Sequence, residues 1–249
     1  MKYIKINKDD LDRMKLIYPN LVFERKNFSN IYFDYNNLAY KILEQSALSD
    51  IDIKELLLLN KINIDSIIKP INIVNIDGLN KGFTMEYFNV KSIDYTPNDY
   101  ESRIKILKNA KNNLLEIHDK GIIVGDVHSG NILYNSKFET KFCDADGMII
   151  SKDTPKRMNN LEREYFEIMG VVDKTCDIYL FNILTLAILL NRNPFRIGWI
   201  YSVNFGNLEL DKIVEFLSKL KYNKFSENFI IDYIPETKKE FKKLTKRIK

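Results

Sequence analysis

The apolar residues of the first third of the chain come in short runs separated by polar turns, whereas those of the remainder recur at helical spacing. Residues 1–20 read as a short helical entry. Leu21-Val-Phe-Glu, Ile31-Tyr-Phe-Asp-Tyr and Leu38-Ala-Tyr-Lys-Ile-Leu follow, rich in β-branched and aromatic residues, and predict three strands. Their connections are the polar segment 25–30 and the turn pair Asn36-Asn37. A helix is expected over 51–61. Two further strands fit 71–75 and 82–87, with Asp77-Gly78 as the turn between them. Past Val90, Ile104, Leu107, Leu114, Leu115 and Ile117 lie on one face of a helix over 103–118, which Gly121 stops. Short β-like pieces at 122–124, 131–134 and 141–143 precede a long polar stretch over 148–170. A strongly apolar helix over 177–190 ends before Asn191 and Pro194, and a helical remainder closes the chain. The pattern predicts an α+β protein with a β-rich part over 1–88, a mainly helical part over 89–249 and a hinge near 88–92.

Composition narrows the class. With 249 residues, 45% of them hydrophobic and 29% charged, the chain can bury a real core and is not expected to be disordered. The net charge of +4 is too small to imply nucleic acid by itself. Cys143 and Cys176 form no Cys-x-x-Cys pair, and two histidines cannot complete a zinc set with them, so both read as reduced thiols of a cytoplasmic protein. The opening MKYIKINKDD has no apolar leader core. The run 178–190 is too short and too interrupted by Asn182 and Thr185 to span a bilayer, so no membrane association is expected.

The sharpest chemical signal is Gly125-Asp126-Val127-His128-Ser129-Gly130-Asn131, with Asp144 further on. Phosphoryl transfer needs a carboxylate to orient or deprotonate the acceptor hydroxyl, oxygen ligands for Mg²⁺ and a cation to hold the phosphates. An Asp five residues before an Asn, on a loop between short strands, lets the Asp face an acceptor while the Asn turns to a metal. A second Asp after the next hairpin can bridge metal and phosphates.

These residues resemble the protein-kinase superfamily, over most of the chain. Asp126 and Asn131 match the Asp and Asn of the family's catalytic loop, and Asp144-Ala145-Asp146-Gly147 resembles its Asp-Phe-Gly motif, Asp146 being a competing candidate for the metal. Leu38-Ala39-Tyr40-Lys41 looks like the family's Val-Ala-Ile-Lys strand. The resemblance implies that Lys41 holds the nucleotide's α/β-phosphates and that a helical Glu fixes it; Glu55 is the natural partner, with Glu44 the weaker alternative. Phe83 to Phe88 resembles the hinge, with Met85 as gatekeeper and backbone groups of Glu86 and Phe88 on the adenine edge. Asp177 to Leu184 resembles the helix that supports the catalytic loop, Asn193-Pro194-Phe195 the segment after it, and His118 the structural His before the loop.

The resemblance implies a two-lobed fold with an antiparallel β-sheet N-lobe and a mainly helical C-lobe, binding ATP and Mg²⁺, or Mn²⁺ in its place, in the cleft between lobes. Catalytic roles fall to Asp126, Lys41, Glu55 and His128, the metal to Asn131 and Asp144. The sequence departs from the family in its glycine-free turn Arg25-Lys26-Asn27-Phe28-Ser29-Asn30, where Arg25 or Lys26 would compensate by charge, and in lacking Ala-Pro-Glu, for which Glu164 is a substitute. Gly125 stands where many protein kinases carry an activating Arg, so activity without phosphorylation of Ser151, Thr154 or Tyr165 is expected. His128 stands where Ser/Thr kinases carry Lys and is similar to the small-molecule phosphotransferases. The expected activity is Ser/Thr protein phosphorylation, with a small-molecule kinase and a regulatory pseudokinase as alternatives. The tail 238–249, with seven basic residues and one Glu, reads as a docked amphipathic helix or as a site for nucleic acid or another acidic partner.

Overall fold

The structure, a computed structural model, describes residues 1–17, 23–24, 29–34, 37–44, 46–88, 91–93, 97, 99–150 and 173–189. The chain is α+β and divides into two compact units. One contains the described residues of Met1–Asn89 and Cys143–Pro155, the other those of Val90–Phe142 and Lys156–Lys249.

The first unit is built on a six-stranded sheet. Its strands are β1 (Lys2–Ile6), β2 (Phe23–Glu24), β3 (Ser29–Phe33), β4 (Leu38–Leu43), β5 (Pro70–Ile76) and β6 (Leu79–Glu86), in the order β1-β5-β6-β4-β3-β2. The expected antiparallel sheet is corrected here to a mixed one, because β1 runs parallel to β5 while all other pairs are antiparallel. The expected helical entry is corrected with it: β1 comes first, and helix α1 (Lys8–Ile17) follows. Lys2 to Ile6 alternate along a sheet edge, so the helical reading of the whole opening had the wrong period.

Alternation sorts the sheet's side chains onto two faces. Tyr32, Tyr40, Ile42 and Val74 form a core with Leu11 of α1, and Met14 and Ile76 pack against it. Lys41 pairs across the strands with Ile31 and Phe83 and belongs to the alternate set. Asp77 and Gly78 both have positive φ, 53° and 83°, which is the primed turn that matches strand twist in a two-residue hairpin. Helix α2 (Asp50–Lys61) begins at a reciprocal capping box: the Asp52 N–H donates to Ser49 Oγ (3.1 Å) and the Ser49 N–H to Asp52 Oδ2 (3.0 Å). Leu56 and Leu59 are its buried anchors, and it packs on β5 and on the 3₁₀ turn Ala145–Gly147.

The second unit holds β7 (Lys91–Ser92), α3 (Tyr100–Asp119), β8 (Ile132–Tyr134), β9 (Thr140–Phe142) and α4 (Lys174–Leu189). Asp99 caps α3 by accepting the Ser102 N–H (2.7 Å). Gly121, at φ 79°, ends it: its N–H donates to the His118 carbonyl and that of Ile122 to the Ile117 carbonyl, the paired bonds of a Schellman cap. Leu107, Ala110, Leu114 and Ile117 are buried where α3 packs on β9 and α4. Among the described residues, no helix is long and apolar enough to cross a membrane. The expected elements over 148–170 beyond Ile150, after Leu189, and at 25–28 lie outside the described residues.

Candidate functional site

Two groups of hydrogen-bonded or ion-paired polar side chains stand out, one in each unit. In the second unit, Asp177 near the start of α4 is fully buried and takes three hydrogen bonds on one carboxylate. The Gly125 N–H donates to Oδ1 (2.9 Å), the Val124 N–H to Oδ2 (2.7 Å), and His118 Nε2 lies 2.9 Å from Oδ2. His118 is buried at the end of α3. A buried carboxylate is tolerable only when its lone pairs are filled, and here the filling groups are backbone amides just before Asp126. Gly125 turns the chain at φ 75°, where a side chain would be strained.

Beyond that turn, Asn131 Nδ2 donates to the Asp126 carbonyl (3.1 Å) and to Asp126 Oδ2 (3.0 Å). His128 caps the 3₁₀ turn Ser129–Asn131: its Nδ1 accepts the Gly130 N–H at 3.0 Å. With Nδ1 accepting, the neutral ring carries its hydrogen on Nε2, which faces Asp126 Oδ2 at 3.4 Å. Oδ2 is thus the oriented oxygen of a carboxylate that remains 29% exposed. Such a group can accept a proton or hydrogen bond from an incoming hydroxyl.

In the first unit, Lys41 is buried on β4, and its Nζ forms ion pairs with Asp144 and, at 2.5 Å, with Asp146. Nζ also lies 5.8 Å from the centre of the Phe83 ring. Burial acts to lower the lysine's pKa, but the charges of Asp146 and Asp144 and their hydrogen bonds outweigh it, so Lys41 is held above its ordinary value and stays cationic. The expected pairing of Lys41 with Glu55 is replaced by these two aspartates. Glu55 is itself buried on α2, the helix that packs on their turn. Glu44 accepts a hydrogen bond from Asn30. Asp144 sits in the left-handed region at φ 70°, which Asp tolerates better than most residues, and it leads the turn closed by the Gly147 N–H to its own carbonyl (2.9 Å).

Met85 is buried on β6 opposite Ala39, Glu86 is exposed at the end of that strand, and Phe88 is half-buried two residues on. The Tyr87 N–H donates to the Asn37 carbonyl (2.8 Å). Asn131 and Asp144, the expected metal pair, belong to different units. Among the described residues, no three His, Cys, Asp or Glu side chains gather to hold a metal on their own. Sequence reasoning placed Phe83 in the hinge resemblance but missed its ring beneath Lys41, and it missed Gly82 beside it. Their signal was the strand alternation that pairs Phe83 with Lys41. The glycine-free turn, Glu164, Pro194 and the basic tail lie outside the described residues. Compared with known proteins, the chain matches no family model, and no curated protein is significantly similar to it.

Proposed function

We propose that the chain is an ATP-dependent phosphotransferase of the two-lobed protein-kinase-like architecture, with the hydroxyl of a protein Ser or Thr as acceptor. The observation that carries this reading is a buried lysine on a central strand, ion-paired to an Asp-Ala-Asp-Gly turn more than a hundred residues away. A structural ion pair alone is a weak reason to bury Lys41 and Asp146 beside a partly exposed Asp144, because desolvation offsets much of the attraction. A site for a polyanion with its metal gives each charge a task. Mg²⁺ prefers hard oxygen donors and keeps several waters, so one or two carboxylates beside substrate phosphates suffice. Asp144 fits that need, with its side chain 32% exposed, and Asn131 offers an amide oxygen. Lys41 fits the phosphates.

Bound Mg·ATP would supply the γ-phosphoryl group and neutralise charge on the phosphates. The chain's own residues do the rest. Lys41 holds phosphate oxygens, Met85, Glu86 and Phe88 border the adenine, and Asp126 orients the acceptor hydroxyl and takes its proton. Asn131 and His128 keep Oδ2 of Asp126 in place. A cytoplasmic location accords with Cys143 and Cys176, which are not joined in a disulfide.

A second reading, a small-molecule kinase, is favoured by His128, which stands in the sequence where the resembled Ser/Thr kinases carry Lys and whose Nε2 lies 3.4 Å from Asp126 Oδ2. Incubation with Mg·[γ-³²P]ATP separates the two. Label on protein bands of a cell lysate supports the first reading, label confined to metabolites supports the second, and no turnover with either removes both.

A further inference from the structure

The Lys41 cluster contains two carboxylates where the proposed chemistry needs one at the metal, and they differ in their surroundings. Asp146 is 8% exposed at its side chain, matching the 8% of Lys41, and its Oδ1 stands 2.5 Å from Nζ. Asp144 is four times as open, at 32%. The turn Ala145–Gly147 fixes both, with buried Ala145 between them and α2 packed against it. An ion pair closed off from water is held rigidly, because opening it strands a charge. A carboxylate with a solvent face can exchange one partner for another at small cost.

We propose that Asp146 is the fixed counter-ion that anchors Lys41, in the role first expected of Glu55, and that Asp144 is the exchangeable carboxylate, released to a divalent metal when phosphate takes its place at Lys41. The inference rests on the phosphotransferase reading for its metal. Its claim about which aspartate anchors the lysine does not. The role makes Asp146 a positioning residue. It acts on the nucleotide through the ammonium group it holds, while the open carboxylate keeps the metal.

The test has two arms on the full chain. In the first, ATP and Mg²⁺ are titrated in steady-state assays of Asp146→Asn, Asp144→Asn and Glu55→Gln. Asp146→Asn is expected to raise the KM for ATP by about tenfold or more with the Mg²⁺ midpoint little moved, whereas Asp144→Asn shifts the Mg²⁺ midpoint. A larger KM effect from Glu55→Gln than from Asp146→Asn, or a Mg²⁺ shift from Asp146→Asn, overturns the assignment. The second arm needs no activity. Thermal midpoints are measured without ligand for Lys41→Met, each Asp→Asn change and the two double variants. The double Lys41→Met/Asp146→Asn is expected to melt no lower than the worse single variant, and even to restore folding if Asp146→Asn alone fails to fold. Coupling to Asp144 is expected to be weaker. Additive effects at Asp146, or stronger coupling at Asp144, overturn the proposal whether or not the protein turns over ATP, and failure of turnover alone refutes only the phosphotransferase reading.

Discussion

Asp126, Asn131 and Asp144 stood out in the sequence because their spacing has few other uses, whereas the partner of Lys41 did not. A lysine's counter-ion depends on how a distant turn folds back, and Asp146 is 105 positions away along the chain. Glu55 was the nearer inference and is buried, but Lys41's ion pairs are with Asp144 and Asp146. Tyr40, next to Lys41, gives a test at the same scale. Burial first, then the hydrogen bond to Asp34 Oδ2 (3.0 Å) and the Asp34 charge, push its phenol from 10.0 up to about 12. The folded state therefore favours the neutral phenol. That contribution is complete below about pH 10 and is lost as the pH climbs toward 12. Tyr40→Phe lacks this dependence, so the stability gap between wild type and variant should narrow between pH 9 and pH 11.5 in urea titrations. A gap that stays constant across that range contradicts the assignment.

Elements were easier to read than their termini. β4 and the Asp77-Gly78 hairpin follow from strong local signals: a run with β-branched and aromatic residues and a turn pair that accepts positive φ. The edge strand β1 escaped because its pairing with β5 is parallel and long-range, which no local pattern announces. Gly82 also escaped, since a glycine in a strand reads only as a weak spot. It pairs with Ile42 and Val74, and a Cβ there would lie 1.9 Å from the Lys41 carbonyl oxygen. Gly82→Ala must push β6 away from β4. It should cost about 2 kcal/mol or more in denaturant unfolding, and it should weaken ATP binding through Lys41. Unchanged stability would mean that the strands do not approach so closely. The helix α4 offers a second test at this scale. Asp177→Asn places an amide donor or a single acceptor against two backbone N–H groups and His118, so a loss of about 3 kcal/mol or more is expected. Amide exchange at Val124 and Gly125 should accelerate with it. Normal protection of those two amides would contradict the scaffold role of Asp177.

At the scale of the whole molecule, the α+β class was legible in the apolar pattern, because strand runs and helical spacing differ in period. The return of Cys143 and the turn after it to the first unit was not legible. Contact between a late turn and an early strand is a tertiary property, which the charge complementarity of Lys41 with Asp144 and Asp146 and the packing of α2 on the turn account for physically. The proposed function assigns the chemical step to a carboxylate of the second unit and nucleotide binding to the lysine cluster of the first, so the two should separate under mutation. Asp126→Asn is close to isosteric but removes the proposed proton acceptor. The most direct measurement compares kcat and ATP affinity of wild type and Asp126→Asn under saturating Mg²⁺. The expected result is γ-phosphoryl transfer by the wild type, a fall in kcat of about 10²–10⁴ in the variant, and ATP affinity conserved within about threefold. Near-normal turnover by Asp126→Asn, or a wild-type protein that neither binds ATP nor transfers phosphate, would contradict the account.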